Sequence, residues 1–214
     1  MNAGYDAPVQ TPPYRILTER LCIRCWAPTD APLLQDAVET SLAHLQPWMP
    51  WAHDEPRPCA ARVELLRGFR GAFDLDRDYV YGLLDRDERE VVGGSGLHTR
   101  VGEGALEIGY WIRASRVGKG LATEATAALA RVAFAVCGVD RVEIHVDPAN
   151  EASLRIPRRL GFAEEATLRR RLPPGRAGAP RDAVVFTLFA GEAAGTQVAT
   201  APLEAYDAAG ARVL

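Results

Sequence analysis

The sequence predicts an α+β domain in which helices pack on a mixed sheet. Three observations predict it. Four stretches repeat apolar residues at helical spacing, and runs rich in β-branched and aromatic residues fill the intervals. The two kinds follow the order β-α-α-β-β-β-α-β-α-β-β, which gives about seven strands and about four helices. The chain has 214 residues, 48% of them apolar, enough for one domain with extensions and a core that needs no staples.

Residues 1–14 hold three prolines and little periodicity, so a loosely ordered arm is expected there. LCIRCWA (21–27) reads as a strand. Thr29 or Asp30 is then placed to cap a helix through APLLQDAVETSLAHL, apolar at Leu33, Leu34, Ala37, Val38 and Leu42. The proline-broken loop PWMPWAHDEPRP carries Trp48 and Trp51, and a second helix, roughly 58–73, has Val63, Leu66, Phe69 and Phe73 on one stripe.

A meander of strands at 78–85, 90–99 and 105–112 is marked by the turn signals DRDER and RVGEG. RVGKG then opens a long helix that Gly138 closes. RVEIHVD (141–147) is a strand, and NEASLRIPRRLG is a short helix stopped by Gly161. Strands at 162–169 and 183–189 follow, joined by the loop RRRLPPGRAGAPRD. The domain proper is thus 15–192. In the extension 193–214, PLEAYDAAGARVL alternates around DAAG as a hairpin does.

Net charge is −3, which implies no general attraction to nucleic acid or to an anionic membrane. No apolar run is long enough to span a bilayer, and the N-terminus lacks the pattern of a secretion signal, so a cytoplasmic location is expected. Cys22 and Cys25 are three apart on a strand and therefore on opposite faces. The histidines have no ligand spacing, and no metal is expected.

Lys119 is the only lysine; all other basic residues among the 25 Lys+Arg are arginines. It sits between Gly118 and Gly120 at a helix start, where free N–H groups and the helix dipole favour an anion. The spacing fits neither the P-loop nor the dinucleotide fingerprint.

The setting of that loop is more specific. EIGYWIRASRVGKGLATEA (107–125) and DPANEASLRIPRRLGF (147–162) together resemble the GNAT superfamily of acyl-CoA-dependent N-acyltransferases. Within it they are similar to the ribosomal-protein-alanine acetyltransferases of the RimJ/RimL type. Arg116, Gly118 and Gly120 match the pyrophosphate loop; Asn150, Ser153, Leu160, Gly161 and Phe162 match a second signature. HLQPWMPWA and RDAVVFTLFAGE also look like pieces of this group, and the resemblance covers roughly residues 15–192.

The resemblance implies a GNAT-like, mostly antiparallel sheet and acetyl transfer from acetyl-CoA to a primary amine by direct attack, with a protein N-terminus as first choice of acceptor. A small-molecule amine and a non-catalytic acyl-CoA-binding module are the alternatives. It implies that Arg116, Gly118, Lys119, Gly120, Leu121, Ala122 and Thr123 hold the diphosphate, with Asn150 reaching the pantetheine arm. A splayed bulge near Tyr110, Trp111 and Ile112 is expected to pair with that arm. Glu107 is the candidate base and Ser153 the candidate proton donor to the thiolate. Pro157 removes the N–H that would bond the carbonyl of Ser153. Trp48, Met49, Trp51 and His98 are candidates for the acceptor side, with His145 in reserve. Arg169, Arg170, Arg171, Arg176 and Arg181 form a basic connection there, though binding of nucleic acid fits poorly with the net charge. A homodimer is expected from the family and from unpaired hairpin edges.

Overall fold

A computed structural model describes residues 10–174 and 178–214. One nine-stranded sheet runs through it in the order β7-β8-β6-β5-β4-β3-β2-β1-β9. In chain order the elements are β1 (Arg15–Leu17), β2 (Leu21–Cys25), α1 (Ala31–Glu39), α2 (Leu42–Leu45), α3 (Cys59–Asp74), β3 (Tyr79–Asp85), β4 (Val91–His98), β5 (Ala105–Ile112) and α4 (Leu121–Ala135). They continue with β6 (Arg141–Val146), α5 (Glu151–Leu160), β7 (Ala163–Leu172), β8 (Arg181–Phe189) and β9 (Glu204–Tyr206). Every neighbouring pair is antiparallel except β5 and β6.

Strand alternation sorts the core into two layers. Ile23, Leu83, Leu97 and Ile108 pack with Ala128, Leu129 and Val132 of α4. Cys22, Trp26, Leu84 and Val91 pack with Leu34, Val38 and Leu66 of α1 and α3. Cys22 and Cys25 therefore fall in different clusters, and all four cysteines are free. Fully buried Phe73 meets Tyr14, Tyr79 and Tyr81 edge to face, with ring centroids 4.8, 5.3 and 5.1 Å away.

Several boundaries differ from the sequence reading. The strand read at 21–27 is β2, and β1 before it was not read; the two are joined by a turn in which the Thr18 hydroxyl takes the amide N–H of Leu21 and donates to its carbonyl. Asp30 does not cap α1: its carboxylate accepts from Ala27 N–H at 2.8 Å and pairs with Arg24. The first helix breaks at Thr40 and Ser41, where the buried Ser41 hydroxyl takes the N–H of Ala114 at 2.9 Å. That bond ties the helix break to the connection leading into α4. β7 runs to Leu172, so Arg169, Arg170 and Arg171 lie on a strand rather than in a loop; Arg176 is outside the described residues.

Of the arm at 1–14, residues 10–14 lie along the domain. Gln10 N–H donates to Cys137, Tyr14 N–H to Tyr206, and Pro13 C=O accepts from Tyr81. The tail is a hairpin: β9 pairs with β1, and Tyr206 bridges to Arg212. One hairpin edge expected to invite a partner is thus joined to the chain's own sheet. Among the described residues no helix is long and apolar enough to cross a membrane.

Candidate active site

The donor end is made of backbone. Gly118 and Gly120 have φ of +74° and +76°, a region that strains residues with a Cβ. This turn and the start of α4 leave the N–H groups of Gly118 through Thr123 without a partner among the described residues. Thr18 and Arg20 hold the loop: Glu124 accepts from the Thr18 hydroxyl and pairs with Arg20, whose guanidinium also reaches Lys119 C=O at 2.7 Å. A cavity of about 620 Å³ opens here, lined by Gly118, Lys119, Gly120 and Thr123, by Arg159 of α5 and by Gln197 and Thr200 of the extension. Leu121 and Ala122 offer only their amides, because Leu121 is buried in the core and Ala122 packs on it. Arg116 pairs with Glu90, which raises its already high pKa, so it braces the loop.

A gap between strands continues from that loop. β5 and β6 pair only at Ala105–Glu107 and Arg141–Glu143, then diverge. Arg113 N–H donates to Val92 across the β4 side, so alternation turns the N–H groups of Tyr110 and Ile112 toward the gap. The expected bulge at Tyr110–Ile112 is absent: β4 and β5 pair one to one from Glu107 to Ile112, and the splay alone makes the opening. The side chain of Ile112 belongs to the core.

Ser153 faces this gap from the first turn of α5, where Asn150 Oδ1 accepts its N–H at 3.2 Å. Tyr110 reaches it from β5, 2.9 Å from Ser153 Oγ and 3.3 Å from the Ser153 carbonyl that Pro157 leaves free. Burial, opposed by the bond to Ser153, pushes the Tyr110 phenol up to about 12. Neutral Tyr110 and Ser153 form a two-hydroxyl chain into the gap.

The acceptor end is made of side chains. A cavity of about 700 Å³ joins the gap to the segment 48–51 and is lined by Trp48, Met49, Trp51, Trp111, His98 and Glu107 among others. Trp111 lies across Gly94, where a Cβ would come 2.5 Å from its Nε1, and meets Trp51 at 5.7 Å. Two ion pairs hold the 48–51 segment. Buried Arg62 grips Glu55 at 2.7 Å, while Arg181 pairs with Asp147 at 3.0 Å and reaches the carbonyls of Pro47 and Trp48.

Glu107 is in the cavity wall but not free. Arg100 binds it through two hydrogen bonds of 2.5 and 2.7 Å. Burial pushes its carboxyl up, but the bonds and charge of Arg100, with help from His145 and His98, hold it below the ordinary carboxylate value. His145 sits 2.8 Å from Glu143 and 3.9 Å from Glu107. Among the described residues no cluster of three His, Cys, Asp or Glu has metal-site geometry.

The description "Acetyltransferase (GNAT) domain" matches residues 20–163. The chain belongs to the GNAT acetyltransferases. An Escherichia coli (strain K12) GNAT relative, "[Ribosomal protein uS5]-alanine N-acetyltransferase", is 30% identical over 167 residues, covering 76% of this chain and 84% of its own. The structure of Mycobacterium smegmatis RimJ in complex with CoA-disulfide is 25% identical with a TM-score of 0.72, over 87% of this chain and 92% of that one. RimL, a ribosomal L7/L12 α-N-protein acetyltransferase solved with coenzyme A, shares the fold at 20% identity and TM-score 0.72, over 80% and 95%. This GNAT chain is an acetyl-CoA-dependent N-acetyltransferase, and acetyl-CoA is its acyl donor.

Sequence reasoning missed Arg20, Glu124, Arg100 and Asp78, whose roles depend on which strands adjoin. A signal existed in GGSG (93–96): glycines that crowd a strand mark where other side chains cross it.

Proposed function

We propose that the acceptor of this acetyltransferase is a protein N-terminal α-amino group, acetylated by direct attack while donor and peptide are bound together. The observation that carries it is the cavity that joins the β5–β6 gap to the tryptophan segment, so donor and amine share one open cleft. The diphosphate sits on the free amides of residues 118–123, and the pantetheine arm follows the N–H groups of Tyr110 and Ile112. The thioester carbonyl then lies near the splay, with Asn150 at the edge of the arm. Ser153, backed by Tyr110, returns a proton to the departing thiolate. Asp78 supplies negative charge toward an incoming ammonium, since Glu107 and Asp147 are matched by Arg100 and Arg181. The relatives named for ribosomal protein termini support the peptide acceptor, and the cytoplasm is the matching compartment.

A small aromatic amine is the second reading, favoured because all four tryptophans, Trp26, Trp48, Trp51 and Trp111, line the cavity. Acetyl-CoA is incubated with the protein and peptides beginning with alanine or serine, against a panel of small amines, and products are read by mass spectrometry. An acetyl group on the peptide α-amine is expected. Acetylated small amines beside unmodified peptide sink the peptide reading.

A further inference from the structure

The cavity holds a proton acceptor better placed than Glu107. We infer that His98, oriented by Asp78, is the general base that takes the proton from the attacking amine; this rests on the amine-acetylation reading above. His98 ends β4 directly opposite Glu107 on β5, so the two side chains share one sheet face. Its Nδ1 lies 2.9 and 3.1 Å from the two carboxylate oxygens of Asp78. A carboxylate only accepts, so Nδ1 carries the hydrogen, and the neutral form of the ring then has its bare nitrogen at Nε2.

Nε2 does not point at random. It lies above Gly96 and Gly109, 2.5 and 3.5 Å from where their Cβ atoms would be. Any residue but glycine at Gly96 would occupy the ring's place. The imidazole thus leans along the strands from Glu107 toward Tyr110, where the gap opens. Asp78, His98 and Gly109 all line the cavity that contains Ser153.

The contrast with Glu107 decides between them. Glu107 spends both oxygens on Arg100 and is held below the usual carboxylate range, so it is a weak base. His98 spends one nitrogen on its orienting partner and keeps the other. The charged and titratable groups facing it are Asp78 from the α3–β3 connection, Glu107 with its partner Arg100, and His145 beyond Glu107 on β6. Glu107 with Arg100 is close to neutral as a pair, which leaves Asp78 to stabilise the imidazolium that forms.

The amine lone pair forms the C–N bond, and the amine proton passes to His98 Nε2. The C–S bond breaks with its electron pair on sulfur, which takes a proton from Ser153; Tyr110 restores that proton and is itself re-protonated from solvent. His98 releases its proton to solvent. In this scheme His98 is catalytic and Asp78 is a positioning residue.

Steady-state rates with acetyl-CoA and an alanine-starting peptide, taken across pH, test it in the parent, His98→Gln and Asp78→Asn. His98→Gln is expected to lower kcat by about 10²-fold or more, the usual scale for a lost general base. Its acetyl-CoA Kd stays that of the parent, and the acidic limb of its pH profile disappears. Asp78→Asn is expected to lose less, and to shift that limb rather than abolish it. A His98→Gln enzyme within twofold of the parent, with its acidic limb intact, overturns the assignment. If the parent acetylates no amine, the acetylation reading fails separately. The dyad is then judged by imidazole ¹⁵N NMR of the parent: Nδ1–H with bare Nε2 is required, and the Nε2–H tautomer overturns it.

Discussion

The two ends of the cleft are built from different material. At the donor end, two left-handed glycines and the first turn of α4 present a row of backbone N–H groups, and side chains only brace them. At the acceptor end, Trp48, Trp51, His98, Glu107 and Trp111 arrive from one loop and two strands, and the backbone beneath has been cleared to glycine at 94, 96 and 109. A diphosphate is the same in every donor, so a local backbone shape suffices for it. An acceptor varies, and side chains on a fixed sheet can be exchanged without disturbing the loop.

The difference predicts where each end breaks. The largest effect is expected at Glu55, whose removal leaves the buried Arg62 guanidinium only the more distant Glu39 carboxylate, 3.7 Å away. Glu55→Ala should cost about 3–5 kcal/mol in chemical denaturation, the scale for breaking one side of a buried pair. Among the described residues no hydrogen bond or ion pair joins the donor loop to this pair, so acetyl-CoA affinity of the folded protein should be unchanged; a coupled loss would join the two ends. Next comes Asn150→Ala, which removes the cap of α5 and should cost about 1 kcal/mol. Because Ser153 sits on that first turn, kcat should fall more than donor affinity does. Equal losses in both would mean that the place of Asn150 beside the pantetheine arm outweighs its hold on Ser153.

The smallest effect is one of pH. The Glu107 carboxyl is lower in the folded state than in the unfolded chain, so the folded state binds fewer protons at that group. Its contribution to stability is full above the unfolded value, 4.5, and is lost as pH falls through the folded one. Glu107→Gln should remove part of the decline in stability below pH 4.5 while leaving stability at neutral pH less than the parent's. An unchanged acid slope would show that the Arg100 pair contributes nothing to folding.

How much was legible follows from the same contrast. The donor loop is contiguous, so Gly118, Lys119 and Gly120 read directly as a left-handed turn before a helix. Pro157 likewise declared a free carbonyl at Ser153, though nothing local said that Tyr110 would fill it. Across strands the reading stopped. Asp78 lies twenty residues from His98, and only the β3–β4–β5 order brings them onto one face. The bulge in β5 was expected from family likeness, whereas the regular ladder to the glycine-rich β4 leaves the opening to the β5–β6 divergence. β1 is three residues long, too short to show a period of two, and was not read as a strand. The arginine run in β7 read as loop because that edge strand is almost wholly exposed and has no buried face to give a period of two.

The most direct test of the two-ended cleft is a calorimetric titration of acetyl-CoA into the parent, Gly120→Val and His98→Gln. Forcing a side chain into the left-handed turn costs about 1–2 kcal/mol, so Gly120→Val should bind roughly tenfold more weakly. His98→Gln should bind as the parent does. Equal affinity in all three, or a loss confined to His98→Gln, would contradict a donor site made of backbone and an acceptor site made of side chains.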